Sequence, residues 1–302
     1  MDLIAAEGIE KRFGQLTALR DISLRVRRGE LYGLIGPDGA GKTTFFRILT
    51  TLMPPDGGRA TVDGLDIAAD YRRIRAAVGY MPGRFSLYPD LTVKENLEFF
   101  ATLFGTRLED NYDLIRDIYV QIEPFRNRRA GRLSGGMKQK LALCCALIHR
   151  PRVLFLDEPT TGVDVVSRHE FWDMLSGLKR QGITMLVSTP YMDEAVRCDR
   201  IALIQSGRLL SIDTPQGIIE NYPDALFEVR AENMRQLTDE IRKRCSPQSC
   251  FAFGRSLHVS FSRDDVEAPQ RMRAALTAAG CTNLEIASIT PSIEDCFIQQ
   301  MR

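Results

Sequence analysis

Gly36-Pro37-Asp38-Gly39-Ala40-Gly41-Lys42-Thr43 joins an apolar stretch, Leu31 to Ile35, to a run with helical spacing that continues to about Thr51. Glycine, four residues, then Gly-Lys-Thr is the pattern of a phosphate-binding loop. Its glycines let backbone N–H groups turn toward phosphate oxygens, and the start of the following helix adds a favourable dipole. Lys42 is the side chain expected to reach the outer phosphates, and Thr43 the hydroxyl expected to hold Mg²⁺. Strand, glycine loop and helix in that order open a nucleotide-binding α/β unit.

The flanking sequence extends this unit. Ile22 to Val26 alternates apolar and polar residues as a half-buried strand does, and Arg28-Gly29-Glu30 turns into Leu31–Ile35. A short strand at Ala60 to Val62 is bracketed by Pro54-Pro55-Asp56-Gly57-Gly58 and Asp63-Gly64. Leu91 to Ile148 is mostly helical in pattern. Val153 to Leu156 and Ile183 to Val187 are continuous apolar runs of the kind buried parallel strands require, and they flank a helix from about Val166 to Arg180. The first of these runs ends in Asp157-Glu158. With the phosphate loop on a neighbouring strand, Asp157 is placed to hold Mg²⁺ and Glu158 to polarise an attacking water as general base.

Composition narrows the function. The chain has 302 residues, 44% hydrophobic and 26% charged, enough to bury a sizeable core and long enough for two domains. Forty Lys+Arg against 39 Asp+Glu leave a net charge of +1, so no broad field holds nucleic acid, and none is expected as a partner. Seven scattered cysteines form no paired zinc spacing and read as reduced cytosolic thiols. Met1 to Glu10 lacks the features of a signal peptide, and no apolar run approaches the roughly 18 residues of a spanning helix. A membrane role is therefore expected to work through partner chains.

Leu133-Ser134-Gly135-Gly136-Met137-Lys138-Gln139 is the most specific segment: a serine cap and two glycines at a helix start, presenting donors to an anion. It resembles the signature motif of ATP-binding cassette (ABC) proteins. The resemblance covers residues 1 to about 221, and the wording of Gly36–Thr44, Leu133–Lys140 and Tyr191-Met192-Asp193-Glu194-Ala195 is most similar to the type-2 exporter branch. It implies an α/β fold, the RecA-like P-loop NTPase core of an ABC cassette with antiparallel β and helical subdomains. It also implies that ATP and Mg²⁺ are the ligands, that Phe13, before the first strands, stacks on adenine, and that Thr161-Gly162-Val163-Asp164 is the D-loop along a dimer interface. Thr44, Gly136, Gln139 and Asp164 join the nucleotide contacts on the same ground. Two cassettes of this family sandwich ATP between one chain's P-loop and the other's signature. A second cassette, as homodimer or heterodimer, and membrane-spanning permease subunits are the expected partners, on the cytoplasmic face of the membrane. The alternatives are a soluble cassette acting on ribosomes or DNA, and a non-hydrolysing regulatory cassette.

Three positions depart from the family pattern. Tyr80-Met81-Pro82 is followed by Gly83 where a glutamine is usual, Ser188-Thr189 by Pro190 where a histidine is usual, and Asp38 stands where asparagine is commonest. The P-loop site of this chain is accordingly expected to hydrolyse weakly, while Ser134 to Gln139 complete a partner's site.

Beyond Tyr222-Pro223-Asp224 the order is strand (Leu226–Arg230), helix (Met234–Arg244), two strands (Cys250–Phe253, Leu257–Phe261), helix (Gln270–Ala279), strand (Leu284–Ile289) and a closing helix from Ile293. That order is a ferredoxin-like split unit. Residues 1–221 are thus read as the cassette and 222–302 as an accessory α+β domain, whose Pro291-Ser292-Ile293-Glu294-Asp295 is similar to tails of the same exporter branch.

Overall fold

A computed structural model describes residues 1–301. Chain order begins β1 (Asp2–Phe13), β2 (Leu16–Arg27), β3 (Leu31–Ile35), α1 (Lys42–Leu49), β4 (Gly57–Val62), β5 (Leu65–Asp66), α2 (Tyr71–Ala77) and β6 (Val78–Met81). It continues α3 (Val93–Leu103), α4 (Tyr112–Tyr119), α5 (Gly135–Leu147), β7 (Val153–Asp157), α6 (Val165–Arg180), β8 (Thr184–Thr189), β9 (Arg200–Gln205) and β10 (Arg208–Asp213). The remainder is α7 (Pro215–Glu220), β11 (Asp224–Arg230), α8 (Met234–Arg244), β12 (Ser249–Phe253), β13 (Ser256–Ser262), α9 (Ala268–Ala278), β14 (Glu285–Ser288) and α10 (Ile293–Gln300).

Two compact units divide the chain, Met1–Pro215 and a second from Gln216 onward. In the first, the central sheet runs β10-β9-β3-β8-β7-β6. Its strands β9, β3, β8, β7 and β6 are parallel and β10 pairs antiparallel at the edge. Every residue of β3, β7 and β8 is buried, which is why these strands read as unbroken apolar runs. A separate antiparallel sheet runs β2-β1-β4-β5. Phe13 ends its first strand, whereas the sequence reading put this residue ahead of the first strands. Between the two sheets α1 buries Phe45, Phe46, Ile48 and Leu49, and one core joins Ile9, Ile22 and Val62 of the antiparallel sheet to Phe155, Leu186 and Ala202 of the central one. Burying such side chains contributes about 1.5–3 kcal/mol each, so the loop that opens α1 is held from both sides. Helices α3 to α5 form the helical part, with α3 started by a capping box between Thr92 and Glu95.

The strand carrying Asp157 is not the neighbour of the P-loop strand: β8 lies between them. Sequence alone expected adjacency, because it cannot give the order of parallel strands joined by long crossovers.

In the second unit the antiparallel sheet order β12-β13-β11-β14 places the first and third strands at the centre, as a split βαβ arrangement requires. Val229, Leu257, Val259 and Phe261 pack against Leu237, Ile241, Met272 and Leu276 of α8 and α9. The boundary falls at Pro215/Gln216 rather than at 221/222. Ile218 of α7 is buried and its carbonyl accepts from Cys296 Sγ at 3.6 Å, which ties that helix to the second unit. No helix among the described residues is long and apolar enough to cross a membrane.

Candidate nucleotide site

The carboxyl ends of β3, β8 and β7 bring the phosphate loop and the acidic pair together, the position where open α/β sheets take ligands. Gly36 N donates to Thr189 O at 3.2 Å. A Cβ on Gly36 would lie 2.2 Å from Ile204 O, so only glycine lets the loop press this closely on β9. Gly41 has φ 108°, a conformation that glycine adopts without steric cost, and it turns the chain into α1. The Ser206-Gly207 turn between β9 and β10 closes on the loop through Gly207 N→Ala40 O, 2.9 Å.

Lys42 is 3% exposed. Its Nζ donates to Gly36 O at 2.7 Å and Pro37 O at 2.9 Å, and pairs with Glu158 Oε1 at 3.0 Å. Asp157, 1% exposed, accepts from Ser188 Oγ at 2.6 Å. Burial raises its pKa, while hydrogen bonds from Ser188 and Thr43 and the Lys42 charge pull the other way and the Glu158 charge adds to the rise. Glu158 sits at φ 50°, a left-handed backbone rare for glutamate. Its N–H reaches both Ser188 O at 3.1 Å and Ser188 Oγ at 3.0 Å.

A cleft of about 550 Å³ runs beside this machinery, lined by Phe13, Leu16, Thr17, Ala18 and Arg20 of β1 and β2, by Gly39, Gly41, Lys42, Thr43, Thr44 and Glu158, and by Ser206 and Gly207. Phe13 is 45% exposed, an aromatic face open to the cleft rather than a core side chain. The remaining loop residues shape the cleft without lining it: Gly36 and Ala40 are buried, and Pro37 and Asp38 are more open.

Ser134, Gly135, Gly136 and Gln139 do not line this cleft. Ser134 caps α5 by accepting from Met137 N at 3.3 Å, leaving Ser134 and Gly135 exposed. A Cβ on Gly136 would meet Ser167 Oγ at 2.8 Å, so the start of α5 packs tightly on α6. Asp164 also lies outside the cleft and caps α6, its Oδ1 accepting from Ser167 N at 3.0 Å.

Two of the departures, Gly83 and Pro190, lie just past the ends of β6 and β8. At Gly83 a Cβ would come 3.0 Å from Asp157 O, so the backbone there lies against the end of β7. Pro190 directly follows Thr189, whose carbonyl holds the P-loop, and proline brings no donor of its own. Sequence reasoning missed Thr17, Arg20, Ser188 and the Ser206-Gly207 turn. Ser206-Gly207 carries a local turn signal, but nothing local says that it faces the loop.

Fold and cleft define a P-loop nucleotide-binding cassette with a separate antiparallel sheet and a helical part whose α5 starts at an exposed serine cap. A family model described as ABC transporter matches residues 19–161. The chain is 37% identical to the protein named "Probable multidrug ABC transporter ATP-binding protein YbhF" of Escherichia coli over 98% of its own length, yet spans only about half, 51%, of that relative. It is 36% identical to the Nod factor export ATP-binding protein I of Burkholderia lata, covering 96% of this chain and 94% of the relative. The Streptomyces coeruleorubidus daunorubicin resistance ATP-binding protein DrrA2 is 36% identical, covering 98% and 94%. Among solved structures, an ATP-binding subunit of an ABC transporter matches with TM-score 0.66 at 26% identity, over 73% of this chain and 93% of that one. An ATP-binding cassette solved as a dimer bound to ADP and Pi matches with TM-score 0.63 at 25% identity, over 70% and 98%. The chain belongs to the family of ABC transporter ATP-binding subunits, whose ligand is ATP.

Proposed function

We propose that this chain is the ATP-hydrolysing subunit of an ABC exporter, lying against the cytoplasmic face of a membrane through permease subunits and working as one half of a cassette dimer. The observation that carries this reading is the separation of the signature from the P-loop cleft. One chain holds an adenine platform at Phe13, a phosphate loop and two carboxylates, while the exposed donors at Ser134 and Gly135 sit apart from that cleft, available to a second cassette. The relatives named for multidrug, Nod factor and daunorubicin export support the exporter class.

Mg²⁺ fits the donor set. Asp157 is a buried carboxylate with no ion pair among the described residues, hydrogen-bonded by hydroxyls, and oxygen ligands of this kind suit a hard cation. Thr43 and Asp157 would hold it, and it would supply charge neutralisation at the phosphates. The chain itself orients: Lys42 faces the phosphates from the loop, Phe13 carries the base, and Glu158 accepts the proton of the attacking water. With Gly83 and Pro190 replacing two polar contacts, each worth about 10²–10³ in rate, turnover at this chain's own P-loop is slow.

The reading is tested with Lys42→Ala and Ser134→Arg. Calorimetry should find ATP binding to the isolated chain weakened at least about tenfold by the first, since one charge-assisted phosphate contact is worth about 1.5–3 kcal/mol. The second should leave that binding unchanged, yet stop hydrolysis in the assembled cassette pair. Loss of binding by the isolated Ser134→Arg chain would overturn the two-chain site.

A further inference from the structure

The β strand between the phosphate loop and the acidic pair contributes a residue to both. We infer that Ser188 is a positioning residue of the ATP site: its hydroxyl locks the cation-binding carboxylate of Asp157 and the backbone of the general base Glu158 into one unit.

Ser188 is fully buried on β8, level with Asp157 of β7 in the parallel register. A serine hydroxyl has one proton and two lone pairs. Here the proton goes to Asp157 Oδ1 at 2.6 Å and a lone pair accepts from Glu158 N at 3.0 Å. The hydroxyl's direction is therefore set from both ends. Asp157 needs such a donor because it is 1% exposed and without a direct ion pair among the described residues. A buried carboxylate oxygen that loses its partner carries the whole desolvation penalty. The Glu158 N–H is shared between the Ser188 hydroxyl and Ser188 O at 3.1 Å, and the left-handed backbone they hold, φ 50°, costs of order 1–3 kcal/mol and persists only where the surroundings fix it. That backbone aims the Glu158 carboxylate at Lys42, 3.0 Å away.

The next residue repeats the arrangement on the other side. Thr189 Oγ1 donates to the buried Glu194 Oε2 at 2.5 Å and accepts from Tyr191 N at 3.1 Å, while its carbonyl receives Gly36 N. Two consecutive hydroxyls at the end of β8 thus fasten the acidic pair on one side and the loop after Thr189 on the other. Where Gly83 and Pro190 bring no polar side chain, Ser188 adds a buried donor to the Asp157 carboxylate beside Thr43 and an acceptor to the Glu158 backbone.

The inference rests on the proposed assignment of Asp157 as a cation ligand, and the experiment separates the two. ATP affinity of the full chain is measured by calorimetry in EDTA and in Mg²⁺, and Mn²⁺ binding to the chain–ATP complex by electron paramagnetic resonance. Ser188→Ala should leave ATP affinity in EDTA within about twofold and weaken Mn²⁺ binding about 10- to 100-fold, the usual cost of losing a partner that orients a ligand. Ser188→Thr, which keeps the hydroxyl, should restore Mn²⁺ binding to within about threefold, and Ser188→Cys, a weak donor of similar size, should fall between. These last two carry the test if the alanine variant does not fold. Equal losses with and without divalent ion, or wild-type Mn²⁺ affinity in Ser188→Cys or a folded Ser188→Ala, would overturn the inference. Asp157→Asn with unchanged Mn²⁺ affinity would instead overturn the assignment on which it rests.

Discussion

Glu158 joins two constraints in one residue. Its backbone is left-handed and its carboxylate is the counter-charge of a lysine that is 3% exposed. Removing one partner of a buried pair usually leaves an uncompensated charge and costs about 3–5 kcal/mol. Lys42 is cushioned against that loss, since Gly36 O and Pro37 O accept from the same Nζ. Glu158→Gln should therefore fold with near-native stability. Its effect on turnover of the assembled transporter should stay below about tenfold, because a general base delivers its usual 10²–10⁴ only where the rest of the constellation is present. Steady-state ATPase assays check this. A fall of more than about a hundredfold would mean that this chain's own site is the working one despite Gly83 and Pro190.

Among the elements, α6 links the phosphate machinery to the rest of the cassette. It starts at Asp164, whose carboxylate accepts from Ser167 N, and that hydrogen bond is the main reason the Asp164 pKa is lowered. A carboxylate with a depressed folded-state pKa adds stability above its unfolded pKa and loses it as pH falls through the folded value. Asp164→Ala should accordingly lower the melting temperature at pH 7 and by clearly less near pH 3, whereas Asp164→Asn, which still accepts the bond, should stay close to wild type at pH 7. Thermal melts at both pH values decide it. An equal drop for Ala and Asn would show that charge, rather than capping, is what Asp164 supplies. The same helix holds Arg168, paired with buried Glu194 at 3.0 Å, so its placement also bears on the segment that follows β8.

For the whole molecule, the two units each close their own core, one around α1 and the two N-terminal sheets, the other around β11, β13, α8 and α9. A chain ending at Pro215 should retain cooperative unfolding and ATP binding, and a fragment beginning at Gln216 should fold alone, as separate cores of this size do. Far-UV circular dichroism melts of both fragments, with calorimetry on the first, test this. If the second fragment has no cooperative transition, the tail's core is not self-sufficient.

Much of this protein is written locally. The loop Gly36–Thr43, the acidic end of Val153–Glu158, the capped start at Ser134 and the strand–helix order of the tail each depend on residues close in the chain, through hydrophobic periodicity, turn chemistry and helix capping. Those features sufficed to read a nucleotide-binding cassette with a split βαβ tail. The long strand β1 escaped notice because its bulged register breaks the alternation that marks a strand. What only the tertiary structure decided is which distant residues meet. Strand order put β8, not β3, beside Asp157 and so made Ser188 its partner. Packing between α7 and the tail moved the unit boundary to Pro215. Arg20 and Ser206 entered the cleft through contacts among β2, the P-loop and the β9–β10 turn. Local sequence sets the conformations available to each segment, but the sheet's order is chosen by burial of whole faces, and that depends on every strand at once.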